Sequence, residues 1–170
     1  MTGVRIRAQR DQDADAVHAV NRAAFGSDAE ANLVEALRAA ARPLVSLVAS
    51  EGDEIVGHIL FSPVTLAADP DARVMALGPM AVAPDRQRRG IGSALVQAGL
   101  DECRRLGCQA VFVLGHPHYY PRFGFVPASR FAISSRYEVP DEVFMAMELT
   151  PGALAGKAGI LSYHEAFDGL

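Results

Sequence analysis

The chain has 170 residues, of which 50% are hydrophobic and 21% charged, and its formal net charge is −4 at pH 7. That length and composition predict one globular domain, and the acidic balance gives no support to nucleic-acid binding. No apolar run approaches the ~20 residues that span a bilayer, and residues 1–7 lack the apolar segment of a signal peptide. We therefore expect a cytoplasmic protein. The two cysteines, Cys103 and Cys108, fit buried thiols better than a disulfide framework.

The periodicity of the apolar residues predicts a single α/β domain with a mixed sheet. The first predicted elements are a strand at 4–8 and a helix capped by Asp11. A second helix follows, which begins at a capping box of Ser27 and Glu30 and ends at Pro43. The next predicted elements are strands at 46–50, 54–62 and 74–82. The later elements are a helix at 93–106 and strands at 110–114, 131–134 and 144–149. We expect residues 1–150 to form the domain and residues 151–170 to form an extension that packs on or beside it.

The segment between the fourth predicted strand, 74–82, and the helix at 93–106 ends in two glycines, Gly90 and Gly92. A helix start offers free backbone N–H groups and the positive end of the helix dipole, and glycines let the backbone approach a phosphate closely. Arg86, Arg88 and Arg89 add positive charge around this turn. The pattern predicts a pyrophosphate site formed by consecutive residues: Gln87, Arg88, Arg89, Gly90, Ile91, Gly92 and Ser93.

Two common phosphate-binding motifs fit this segment badly. A P-loop needs a Lys after its last glycine, and Ile91-Gly92-Ser93 supplies none. A dinucleotide-binding fingerprint needs a third Gly or Ala at the position of Leu95. The pattern that remains, Gln/Arg-x-x-Gly-x-Gly/Ala after a strand, resembles motif A of the GNAT superfamily of acetyltransferases, whose loop holds the pyrophosphate of coenzyme A. A helix start without any ligand is the simpler alternative.

Gly78 and Pro79 interrupt the predicted strand 74–82. Proline cannot donate to a sheet ladder, so we expect a bulge that leaves backbone groups without a partner strand. An edge strand is one interpretation of this pattern. The other is that a ligand with amide groups takes the place of the missing strand. The pantetheine arm of coenzyme A would suit that gap, beside Met80, Ala81 and Val82.

A second motif lies downstream, where Tyr120 stands four residues before the pair Gly124-Phe125. It resembles the GNAT ending Tyr-x-x-x-Gly-Phe, in which the tyrosine hydroxyl faces the sulfur of coenzyme A. The longer string from Gly115, Gly-His-Pro-x-Tyr-Tyr-x-Arg-Phe-Gly-Phe, is similar to a bacterial GNAT subgroup of predicted N-acetyltransferases. The order of the predicted elements also resembles the superfamily fold. The resemblance implies a GNAT fold, with a mixed central β-sheet flanked by helices and a bulged, splayed central strand.

The resemblance implies an acetyl-CoA-dependent N-acetyltransferase that moves the acetyl group directly to an amine in a ternary complex. A small-molecule or peptide amine is the expected acceptor, and a homodimer is the protein assembly considered. Tyr120 would protonate the departing thiolate, because the reference pKa of tyrosine, ~10, exceeds that of a thiol, ~8.5. A backbone amide near Met80 or Ala81 would stabilise the tetrahedral oxyanion.

The general base is less well determined by the sequence. If the strands 54–62 and 74–82 form an antiparallel hairpin, His58 lies opposite Pro79, where a neutral imidazole could accept the proton of the amine. A structural role for His58 stays open, and His116, Glu138 and a water chain are the other candidates for the base.

Other interpretations are kept beside this one. A non-catalytic acyl-CoA-binding or sensing module on the same fold is the first rival, and a nucleotide-binding protein that uses the loop is the second. His116 and His118 have metal-binding side chains, but spacing places no third ligand, so we assign no metal. In the extension, Tyr163, Phe167 and Leu170 are expected to pack over the sheet or to contact a partner.

Overall fold

A computed structural model describes residues 3–169, so that Met1, Thr2 and Leu170 lie outside the described residues. Within that range nine strands form one mixed sheet flanked by three α-helices, which confirms the predicted fold class. The strands are β1 Val4–Ala8, β2 Val45–Glu51, β3 Glu54–Leu66, β4 Asp69–Val82, β5 Ala110–Leu114, β6 Val126–Pro127, β7 Ile133–Ser135, β8 Phe144–Glu148 and β9 Gly159–Tyr163. The helices are α1 Ala14–Phe25, α2 Ala29–Ala40 and α3 Ile91–Arg105.

The sheet follows the order β1-β2-β3-β4-β5-β8-β6, with β4 near its centre. Along this path β4 and β5 are the parallel pair, and the other neighbours are antiparallel. β9 pairs with the far end of β3, residues 64–66, and β7 runs parallel to β9. The C-terminal part of the chain therefore contributes a strand, β9, that joins the sheet at β3 rather than at its outer edge.

The two faces of the sheet are covered by different helices. α3 packs on one face, in a cluster that includes Phe61 and Met75, whereas α1 and α2 pack on the opposite face against Val48 and Leu60. A close approach of α3 to the sheet depends on Gly99, where an added Cβ would lie 2.1 Å from Cε1 of Phe61. This packing fixes the position of the first turn of α3 over β3 and β4.

The hairpin formed by β3 and β4 is longer than predicted. We expected a loop from Pro63 to Arg73, but the two strands continue to the pair Leu66 and Asp69. Pro63 is tolerated because it lies between Phe61, the last residue of β3 paired with β2, and Val64, the first paired with β9. Among the helices described for residues 3–169, none is long and apolar enough to cross a membrane.

Two predicted helix caps do not form as expected. The cap at Asp11 is replaced by a short 3₁₀ helix, Asp11–Asp13, and the side chain of Asp13 accepts a hydrogen bond from the backbone N–H of Arg10 (2.7 Å). The capping box of Ser27 and Glu30 is also wrong, because α2 begins at Ala29 after Asp28 and has no side-chain cap. The side chain of Glu30 is thereby left without the backbone partner that the sequence pattern gave it.

Candidate active site

A cleft of about 900 Å³ lies at the point where β4 and β5 separate. The two strands pair as far as Leu77 and Val113 and no further. Beyond that pair, β4 bulges: Ile59 of β3 faces Met80 and Phe61 faces Leu77, so that β4 has one residue more than β3 over the same stretch. The bulge contains Gly78 and Pro79, as predicted. An open slot therefore lies beside the bulged part of β4.

The cleft connects the two faces of the sheet. Tyr120 and Val113, which belong to the cluster on the α3 face, line it together with Leu33 and Phe167, which belong to the cluster on the α1/α2 face. A ligand in the slot can thus be reached by a second molecule from the opposite side of the sheet. We call the two ends of the cleft the α3 side and the α1/α2 side.

The start of α3 forms the α3 side of the cleft. Gly90 adopts a left-handed conformation (φ 83°) at the N-cap, and no side chain caps the helix. The first intrahelical hydrogen bond runs from the N–H of Ala94 to the carbonyl of Gly90, so the amides of Ile91, Gly92 and Ser93 precede it. Since the first turn of α3 contains no acidic residue, these amides and the helix dipole present uncompensated positive charge.

The three arginines around this turn have different surroundings. Arg86 is held by ion pairs with acidic side chains, among them Glu51 at 2.8 Å, so its charge is already neutralised. Arg88 lines the cleft, and neither Arg88 nor Arg89 takes part in an ion pair within the described part of the chain. Gln87 is anchored by a hydrogen bond from its side-chain amide to the carbonyl of Val82 (3.0 Å). Positive charge is therefore available from Arg88 and Arg89.

Two adjacent tyrosines line the slot in different environments. The ring of Tyr120 is buried and meets that of Phe125 edge to face, with 5.8 Å between centroids. The ring of Tyr120 also packs directly against Gly115, where an added Cβ would lie 2.3 Å from Cε2 of Tyr120. Burial raises the pKa of Tyr120 to about 12, so its hydroxyl stays protonated throughout the neutral range. The Tyr119 hydroxyl instead hydrogen-bonds that of Ser93 at the start of α3 (3.0 Å).

The expected position of His58 is wrong. His58 pairs with Ala81, not with Pro79. One residue of this shift comes from the register of the hairpin, in which Ser62 pairs with Ala76, and the other comes from the bulge in β4. The residue is fully buried and is not among those that line the cleft, and its side chain points to the face of α1. We therefore do not propose His58 as the base.

The hydrogen bonds of His58 are those of a structural residue. The amide of Asn21 donates to Nδ1 (3.3 Å), Nε2 donates to the hydroxyl of Ser46 (2.8 Å), and Ser46 donates to the side-chain oxygen of Gln9 (2.5 Å). This assignment of the tautomer follows from the donors and acceptors around the ring. Burial, with a smaller contribution from the charge of Arg38, lowers the pKa of His58 to about 3, so the imidazole is neutral.

The α1/α2 side of the cleft contains residues that the sequence did not mark as a site. Phe25, Glu30 and Leu33 line it from the two helices, and Tyr163 and Phe167 line it from the C-terminal segment. The sequence predicts that Glu30 is part of a helix cap, and the residue pattern after position 150 carries no signal of a functional site. The rings of Tyr163 and Phe167 pack against each other, with 5.2 Å between their centroids, and against the clusters on the sheet.

The remaining candidates for the base are divided by the cleft. His116 lines it, whereas Glu138 is exposed and lies outside the lining. In residues 3–169 no group of three or more His, Cys, Asp or Glu side chains is placed to hold a metal ion. Cys103 and Cys108 are both buried outside the lining of the cleft.

A protein-family model described as the acetyltransferase (GNAT) family matches residues 14–125. The chain is 42% identical over 134 residues to the uncharacterized N-acetyltransferase YjhQ of Escherichia coli K12, covering 76% of this chain and 74% of that protein. The structure is similar to that of the GNAT family N-acetyltransferase YhbS from Escherichia coli in complex with CoA, with a TM-score of 0.92 and 33% identity, covering 99% of this chain and 93% of that one.

A second solved structure extends the comparison to a bound acyl donor. It is a GNAT family acetyltransferase from Brucella melitensis in complex with acetyl-CoA, with a TM-score of 0.82 and 35% identity. The similarity covers 99% of this chain and 100% of that one. The likeness therefore spans the whole described fold, including the slot between β4 and β5.

Proposed function

The chain belongs to the GNAT family of acetyltransferases, and on that premise we propose that it transfers an acetyl group from acetyl-CoA to the nitrogen of an amine. The observation that carries this proposal is the slot beside the bulge of β4, which leads to the uncapped start of α3. The relatives of known structure hold CoA or acetyl-CoA, and this chain has a cleft suited to the same donor.

The donor is expected to lie along three parts of the cleft. The amides of Ile91, Gly92 and Ser93, with the charges of Arg88 and Arg89, would bind the pyrophosphate. The pantetheine arm would run beside Met80, Ala81 and Val82, whose β5 side has no partner strand. The thioester would then lie at the bulge, close to Tyr120.

The reaction forms one bond and breaks another. The amine nitrogen attacks the thioester carbonyl, a C–N bond forms and the C–S bond breaks. The Tyr120 hydroxyl gives its proton to the departing thiolate, and the raised pKa of Tyr120 keeps that proton in place until the thiolate develops. A backbone amide at the bulge stabilises the oxyanion of the intermediate. The proton lost by the amine goes to His116, which lines the cleft, or to water.

A direct transfer in a ternary complex fits the side chains of the cleft. An acetylated-enzyme route would need a nucleophile such as a thiol within the slot. Cys103 lies in α3 under the sheet, and Cys108 lines a separate cavity near Pro43 and Leu106. Neither thiol lines the cleft, which supports direct attack of the amine on acetyl-CoA.

The test is product formation from acetyl-CoA and a library of primary amines, measured as free CoA and as the mass of the acetylated amine. The proposal expects equal amounts of both products with at least one class of amine. A Tyr120→Phe variant should still bind acetyl-CoA but form product at least ~10²-fold more slowly. Binding of acetyl-CoA without transfer to any amine would favour the non-catalytic acyl-CoA-binding module instead.

A further inference from the structure

The carboxylate of Glu30 forms no ion pair with any residue that the structure describes. Its Oε1 atom is buried and accepts no hydrogen bond from residues 3–169, although Glu30 lines the α1/α2 side of the cleft. The neighbouring carboxylates are paired: Asp28 with His18 and Arg22, and Glu35 with His18. A buried carboxylate oxygen without a donor is costly unless a ligand supplies the donor. Within the described residues, Glu30 is thus the acidic side chain of α2 that lacks an ion pair.

A second polar residue with a buried, unpaired atom lines the same cleft. The hydroxyl oxygen of Tyr163 is buried and has no hydrogen-bond partner in the described part of the chain. The nearby guanidinium of Arg136 is already paired with Asp168, at 2.6 Å, so it does not neutralise Glu30. A carboxylate and a phenol oxygen are both acceptors for an ammonium group.

Aromatic rings line the same side of the cleft as these two atoms. Phe25, which is 43% exposed, and Phe167 line the cleft with Tyr163. Aromatic faces attract cations, and they also cover the apolar part of an organic ligand. The combination of an unpaired carboxylate with aromatic rings is the chemistry that recognises an organic cation rather than an anion or a neutral sugar.

Glu30 and the proposed place of transfer lie on different elements of the same cleft. Glu30 belongs to α2, which packs on α1, on the sheet at Val48 and Leu60 and on the C-terminal 3₁₀ helix Glu165–Gly169. The bulge at Gly78 and Pro79 belongs to β4, and it lines the cleft together with Glu30. A ligand with two polar ends can therefore contact the bulge with one end and Glu30 with the other.

We propose that the acceptor is a small amine that carries a second cationic group, and that Glu30 binds this second group with the Tyr163 hydroxyl and the aromatic rings around it. The inference rests on the proposed acetyl transfer for the fate of the first amine. Glu30 is then a specificity-determining residue, since it selects the acceptor by a charge remote from the reacting nitrogen.

Three probes of equal chain length test the charge preference: hexane-1,6-diamine, hexylamine and 6-aminohexanoate. Their reacting amines are alike, and only the distal group changes from cationic to apolar to anionic. Calorimetric titration into the CoA-loaded protein should give a Kd for the diamine at least ~10-fold below that for hexylamine, with 6-aminohexanoate the weakest. Equal Kd values, or no binding of the diamine, would overturn the proposal.

Variants then assign the preference to Glu30. In Glu30→Gln the diamine should lose 10- to 100-fold in affinity and approach hexylamine, whose own Kd should change by less than about twofold. Tyr163→Phe should weaken only the diamine, by about 3- to 10-fold. Glu35→Gln is the matched control, because it removes a carboxylate from the same helix that is exposed and paired with His18. Circular dichroism and the thermal shift with acetyl-CoA check that each variant is folded.

The outcomes separate this inference from the proposed function. Acetyl transfer to all three probes without a charge preference keeps the acetyltransferase and removes the cation site. The expected order of binding without any acetylated product keeps the cation site and removes the enzyme. If Glu30→Gln weakens the three probes equally, the carboxylate binds the reacting ammonium, and the assignment to a second cation is wrong.

Discussion

The change Gly115→Ala tests whether the position of Tyr120 controls the chemical step. An added Cβ at residue 115 would lie 2.3 Å from Cε2 and 2.8 Å from Cδ2 of the Tyr120 ring. An ordinary carbon–carbon contact is about 3.5–4.0 Å, so the ring has to move by about 1 Å or more. The ring is only 7% exposed and is enclosed by Tyr119 and Phe125, at centroid distances of 5.0 and 5.8 Å. It therefore cannot move without taking its hydroxyl out of place.

The magnitude follows from two general effects. Overpacking of this kind destabilises a fold by about 1–3 kcal/mol, and a displacement of about 1 Å in a catalytic group can slow the reaction by about 10²-fold. We expect Gly115→Ala to lower kcat by about 10²-fold and to change the Kd for acetyl-CoA little. The assay is the steady-state release of CoA with a responsive amine, beside calorimetric binding of acetyl-CoA.

A control variant separates displacement of Tyr120 from general destabilisation. Gly99→Ala creates a comparable clash, 2.1 Å from the Phe61 ring, but that ring does not line the cleft. It should lower the melting temperature and, through the position of α3, weaken acetyl-CoA binding, but kcat at saturating acetyl-CoA should stay within about threefold. The double variant Gly115→Ala with Tyr120→Phe should be no slower than Tyr120→Phe alone. A wild-type kcat in Gly115→Ala, or a further loss in the double variant, would refute the assignment of Tyr120 as the acid.

Three further predictions address other side chains. Tyr120→Phe should lower kcat by about 10²–10⁴-fold, whereas Tyr119→Phe should mainly weaken acetyl-CoA binding. Because the pKa of Tyr120 is about 12, the kcat of the wild type should show no fall from ionisation of this tyrosine below about pH 11. Arg88→Ala should weaken acetyl-CoA binding and reduce its salt dependence, whereas Arg86→Ala should affect only stability; equal affinities in the two variants would contradict the charge assignment. His58→Gln should leave the pH–rate profile unchanged and should flatten the acid loss of stability in urea titrations.

The sign of the His58 effect follows from its environment. The folded pKa of His58, about 3, lies below the 6.5 that is usual for a histidine in an unfolded chain, so the unfolded state binds the proton first as the pH falls. The wild-type protein should therefore lose free energy of unfolding at up to about 1.4 kcal/mol per pH unit below pH 6.5, relative to His58→Gln. A parallel pH dependence of the two proteins between pH 6 and 4 would show that His58 is not buried in its neutral form.

Sequence reasoning was accurate where a segment carries its own strong periodicity. β1 and β5 lie at the predicted bounds, and α3 begins two residues before the predicted Ser93. The GNAT family was also identified correctly, because its loop and helix motifs are local. Such segments bury one face by their own pattern, so little information from the rest of the fold is needed.

The features that the sequence did not predict depend on contacts with distant parts of the chain. β9, at Gly159–Tyr163, is short and exists as a strand because β3 offers it an unoccupied edge beyond β2. The partner of His58 depends on the register of the β3–β4 hairpin and on the extra residue in the bulge of β4, which together move it by two residues, from Pro79 to Ala81. Glu30 has the spacing of a helix cap, and only the observed start of α2 shows that its carboxylate is free to face the cleft.

The central claim, that the start of α3 binds the pyrophosphate of acetyl-CoA, is tested most directly by titrating acetyl-CoA and S-acetylpantetheine into the wild-type protein and Gly90→Val. The wild type should bind acetyl-CoA at least ~100-fold more tightly than S-acetylpantetheine, which lacks the pyrophosphate and the nucleoside attached to it. The pyrophosphate of acetyl-CoA accepts several charge-assisted hydrogen bonds that S-acetylpantetheine cannot form. Gly90→Val should lose most of that difference. Gly152→Val, at a glycine with nearly the same φ (82° against 83°) and equally open surroundings, should keep it. A preference that survives in Gly90→Val would contradict the account.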